Sequence, residues 1–284
     1  MKTILVPTDY SATAKNAALY ALQLASQLQV KKIILYNAYQ APPVISETAV
    51  MPTTAMPFFD VENLRDVSNT GMRHFKDAIQ SFCPSGIEID QQTEYAALDN
   101  DINEVCKKTF ADLIVMGITG TSKIEEVLIG STAISVVKNT KVPVIIVPSG
   151  AKYTSVRNVM LACDYKKVVE TTPVLPIKNI LDATKAAIHI VNVYEGEKNI
   201  TADKTYQQEL LHSLLQEYNP QFHFEYNADF ITGINAFAEA NNIDLIITIP
   251  KKHTFFEGLF KQRHTKKLAF HSHVPLMYIH DEDL

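Results

Sequence analysis

Glycine is scarce in this chain, nine in 284 residues, yet Gly117, Gly120 and Gly130 all follow closely on the apolar run DLIVM and precede AISVVKNTKVPVIIVP. Without a Cβ, the backbone at Gly117 and Gly120 can turn tightly and approach a phosphate chain closely. Gly130-Ser131-Thr132 then begins a predicted helix, where unpaired N–H groups and the positive end of the helix dipole favour an anion. The hydroxyls of Ser131 and Thr132 add donors. Only Lys123 is basic in this window, beside Glu125 and Glu126, so main-chain amides would carry most of the phosphate contact. Glycines that merely shape a surface loop are the alternative. Asp9, in ILVPTDYS, is a separate case. Its carboxylate would repel phosphates, so beside them it would face a base or ribose and accept hydrogen bonds. A turn or capping role next to Ser11 is compatible with that.

Positioning these groups requires strands and helices, and the chain supplies them twice. ILVPTDYS (4–11) is echoed by VMLACDYK (159–166), and KKIILYNAY (31–39) by AAIHIVNVY (186–194), at an offset of 155. DLIVMG at Asp112 matches DLIITI at Asp244, and VPVIIVP at Val142 matches VPLMYIH at Val274, at an offset of 132. The 23 extra residues of the first half are assigned to the Pro-rich stretch over 40–60. Two domains follow, 1–150 and 151–284, joined near SGAKYTS. TILVP and KIILYN read as parallel strands buried on both faces. Between them Ala14, Ala17, Ala18, Ala21, Leu22, Leu24, Ala25 and Leu28 recur at helical spacing, with Ser11 as N-cap. Further helices are predicted over 61–82, 100–110 and from Gly130 to about Asn139. The β-α-β alternation predicts an α/β fold of two tandem, doubly wound, parallel five-stranded sheets.

Composition narrows the classes. A net charge of −5 argues against a general nucleic-acid binder, and 46% hydrophobic residues suffice for a sizeable core. No apolar run approaches the length of about 18 residues that a membrane span needs, and MKTILVPTDYS is not a secretory signal. Cys83, Cys106 and Cys163 lack CxxC pairing and read as reduced, buried thiols of a cytoplasmic protein.

The spacing Gly117-x2-Gly120-x9-Gly130-Ser131, with ILVPTDYS, ADLIVMG and VPVIIVP, resembles the nucleotide-binding signature of the universal stress proteins. The resemblance covers the whole chain as a tandem pair. It implies a ligand crevice between the first and fourth strands, which end here at Pro7-Thr8-Asp9 and Met116-Gly117. It also implies adenine contacts from the Asp9 loop and from Asn37-Ala38, with ATP as ligand, with or without Mg²⁺. Members of the family typically pair through the closing edge strand. Strands 142–148 and 274–280 are therefore expected to form a pseudo-dimer within the chain, with a further association of two chains through them left open.

The second half departs from the signature. Ile249, Lys252, Gln262 and Arg263 stand over Gly117, Gly120, Gly130 and Ser131, so the C-terminal domain is expected not to bind ATP in the usual way, although Asp164 survives. The basic run Lys251, Lys252, Lys261, Arg263, Lys266 and Lys267 would suit an anion or acidic partner, or form a solvated helix face. His271-x-His273 lacks the helical spacing of zinc ligands. No Walker A, kinase or pyrophosphatase loop is present. The expectation is an ATP-binding regulatory protein; slow ATP hydrolysis and a ligand-free interaction module are the alternatives. The 40–60 insertion reads as a lid, a partner surface or a mobile loop.

Overall fold

The computed structural model describes residues 1–40, 61–118, 131–194, 201–249 and 274–280. The 40–60 insertion, Gly120, Gly130, the basic run and His271-x-His273 lie, apart from residue 40, outside them. Strand β1 (Thr3–Pro7) is apolar but for its first residue and wholly buried, and it feeds α1 (Ala12–Gln27). Ser11 caps α1 as its spacing predicts, accepting a bond from the Ala14 amide. The alanines of α1 let it lie close on the sheet. There follow β2 (Lys32–Tyr39), α2 (Val61–Gln80), β3 (Glu88–Tyr95), α3 (Leu98–Thr109), β4 (Leu113–Gly117), α4 (Ser131–Asn139) and β5 (Val144–Val147).

The second half runs β6 (Asn158–Ala162), α5 (Val168–Thr171), α6 (Val174–Thr184), β7 (Ala187–Tyr194), α7 (Ala202–Leu215), β8 (Gln221–Tyr226), α8 (Phe230–Ala240), β9 (Leu245–Thr248) and β10 (Leu276–Tyr278). Each half orders its strands third-second-first-fourth-fifth, with all pairings parallel. Alternate residues of each strand enter two cores, one under α1, α2, α6 and α7, the other under α3, α4 and α8. This is the expected doubly wound α/β fold. Among the described residues no helix is long and apolar enough to cross a membrane.

The halves join by one antiparallel pairing, Leu276, Met277 and Tyr278 of β10 against Ile146, Ile145 and Val144 of β5. The result is a single ten-stranded sheet. This is the pairing within the chain expected of strands 142–148 and 274–280, each of which covers the other. The outer strands of the sheet are β3 and β8.

The connection between halves is pinned to α1. Gln27 donates to the Val156 carbonyl and accepts from the Val156 amide, both at 2.9 Å, while Asn16 donates to the carbonyls of Pro148 and Ala151.

Candidate functional site

The strand order reverses between β1 and β4, which leaves a crevice outside their carboxyl ends. One wall is the loop after β1. The Thr8 amide donates to the Tyr36 carbonyl at 2.8 Å, and the Asn37 side-chain amide donates to the Thr8 carbonyl at 2.7 Å. Thr8 Oγ1 accepts from the Tyr10 amide at 3.0 Å, and Asp9 Oδ1 accepts from the Ser11 amide at 3.0 Å. These short-range bonds hold Tyr10 in the left-handed region, φ 66°. The Asp9 side chain is left exposed above a buried Thr8.

The opposite wall is the end of β4, Met116-Gly117. A Cβ on Gly117 would stand 2.5 Å from the Thr13 carbonyl oxygen and 2.8 Å from its carbon. Glycine at 117 is thus demanded by the packing of α1 against β4, whatever lies in the crevice. Close approach to a phosphate, the reason expected from the spacing, is a separate demand.

The segment Thr8–Thr13 therefore lies between Asn37 on one side and Gly117 on the other. Pro7 is the last residue of β1, and Ala38 follows Asn37, half-buried, in β2. Ser131 and Thr132 open α4, Thr132 exposed.

Two residues enter the site unforeseen. The Asn37 side chain is already engaged, its Oδ1 accepting from Ser68 of α2 at 2.7 Å. The Tyr10 hydroxyl donates to the Ser68 carbonyl at 2.8 Å. Ser68 left one sequence signal. It continues the buried stripe Met72, Phe75 and Ile79 at helical spacing, as a polar residue on the apolar face.

The second half copies the first wall bond for bond. The Asn192 amide donates to the Cys163 carbonyl at 2.8 Å, the Tyr165 amide to Cys163 Sγ at 3.3 Å, and the Lys166 amide to Asp164 Oδ1 at 3.1 Å. Tyr165 is again left-handed, φ 52°. The other wall differs. The pairing of β6 with β9 puts Ile249 at the position of Gly117, and the helix after the loop is broken into α5 and α6 at Pro173. An isoleucine side chain needs the space that the α1 backbone fills in the first half.

Among the described residues no cluster of three or more His, Cys, Asp or Glu could hold a metal ion. Of the three thiols expected to be buried, only Cys106 is. Burial pushes that thiol up to about 12, far from a thiolate nucleophile.

The comparisons with known proteins agree with this architecture. The model of the universal stress protein family matches residues 1–148. A universal stress protein of Methanocaldococcus jannaschii is 29% identical over 151 residues, covering 53% of this chain and 84% of that protein. A universal stress protein structure from Archaeoglobus fulgidus superposes with a TM-score of 0.69 at 19% identity, covering 98% of each chain. A Pseudomonas aeruginosa structure described as a putative universal stress protein gives 0.59 at 11% identity, over 100% of this chain and 94% of that one. The chain belongs to the universal stress protein family.

Proposed function

We propose that this protein is a regulatory protein that binds ATP in its N-terminal half only, residues 1–150, while residues 151–284 form a partner half that does not. The observation that carries this reading is the inequality of the two crevices: the same loop follows β1 and β6, but only the first half has Gly117, Gly120 and Gly130, where the second has Ile249, Lys252 and Gln262. In the first half the exposed Asp9 would accept hydrogen bonds from ribose or adenine beside Pro7 and Thr8. Asn37 would support the loop, and Ala38 and Met116 would border the ring. Gly117, Gly120, Gly130, Ser131 and Thr132 would carry the phosphates on main-chain and hydroxyl donors. Magnesium, where present, would ride on the phosphates.

A regulatory role is favoured over an enzymatic one because the sequence carries no Walker A, kinase or pyrophosphatase loop. The test is the ligand that the purified full chain carries or takes up, released and identified by mass spectrometry, with phosphate release followed over hours. Retention of intact ATP supports the reading. Hydrolysis abolished by Gly130→Asp would make the protein a slow ATPase, and a chain that takes up no adenine nucleotide would be a ligand-free interaction module.

A further inference from the structure

We propose that Ser68 is a positioning residue for the nucleotide site, the point at which helix α2 braces the loop that carries Asp9. The inference rests on the reading of the first crevice given above, and a comparison inside the molecule supports it. In the first half Ser68 is 4% exposed and joins both ends of the loop's support. Its hydroxyl donates to Asn37 Oδ1 at 2.7 Å, and Asn37 holds the Thr8 carbonyl at 2.7 Å. Its carbonyl accepts from the Tyr10 hydroxyl at 2.8 Å. Residues 8 and 10 are thus tied to α2 on either side of Asp9.

In the second half the loop keeps its internal hydrogen bonds but loses this brace. Among the described residues, Asn192 Oδ1 and Tyr165 Oη, the counterparts of the two groups that Ser68 serves, are buried without a hydrogen-bond partner. The half with glycine at the end of its fourth strand has the brace, and the half with isoleucine there has lost it. A loop whose carboxylate must keep a fixed direction needs support from outside, because its own turn bonds fix its curl but not its tilt against the sheet. Without Ser68, Asn37 could still donate to the Thr8 carbonyl, as Asn192 does to that of Cys163, but its oxygen would be buried unpaired and would no longer tie the loop to α2.

The test compares the full-length protein with Ser68→Ala and Ser68→Thr, using ATP and adenosine as probes. Alanine suits a helix interior, so the fold should persist. Loss of one buried hydrogen bond at the loop should weaken ATP and adenosine binding by the same factor, about tenfold. Threonine, which keeps the hydroxyl, should restore most of it. Amide exchange supplies a readout without ligand: the Tyr10 and Ser11 amides should exchange faster in Ser68→Ala, while that of Leu22 in α1 stays unchanged. Wild-type affinity and exchange in Ser68→Ala would overturn the inference, as would a loss confined to ATP, which would place the effect at the phosphates. Faster loop exchange in a protein whose wild type binds neither probe would instead remove the nucleotide reading and leave the brace.

Discussion

At Gly117 the constraint is steric and comes from main chain. Thr13 is backbone in the first turn of a capped helix, and no rotamer change can move it aside. Gly117→Ala should therefore destabilise the chain by about 1–3 kcal/mol in urea denaturation; unchanged stability would show that α1 can shift. The histidines of β7 and β8 form a second local constraint. His189 Nδ1 lies 3.2 Å from His223 Nε2, and both rings pack on Phe237 of α8. Burial lowers the pKa of each; for His189 the charge of His223 lowers it further, while Glu225 pulls His223 the other way. A folded pKa below the unfolded one gives stability that is present above the unfolded value near 6.5 and lost as pH falls through the folded value. Melting temperature should drop on acidification below about 6.5, and His223→Gln should flatten that drop. An equal drop in the variant would assign it to other groups.

The elements differ in how plainly the sequence declares them. β1, α1, β2 and β4 are legible because burial on both faces requires continuous apolar runs and α1 requires a regular apolar stripe. β3 is not, because EIDQQTEY lies at a sheet edge, largely half-buried, and shows no strand run. The break between α5 and α6 falls at Pro173, a residue that ends a helix and that the sequence displays. Ser68 escaped notice because its partners lie 31 and 58 residues away in the chain. At the connection between halves, Gln27 serves both polar groups of Val156, which is fully buried. Gln27→Ala would leave them unpaired and should cost about 1–3 kcal/mol in chemical denaturation. A neutral result would mean that the connection is held by its other contacts.

At the scale of the molecule, the pairing of β5 with β10 turns two repeats into one sheet and removes two apolar edges. Ile145 and Met277, facing each other there, are fully buried. Expressing residues 1–150 alone would uncover β5, and an apolar edge strand seeks another. That fragment should form dimers in light scattering, whereas in the full chain β10 already covers β5; a monomeric fragment would show that β5 needs no partner.

The inequality of the two crevices makes the central claim a matter of counting. Titration calorimetry of the full chain with magnesium ATP should give one nucleotide per chain. Two per chain, or no heat at all, would contradict the account.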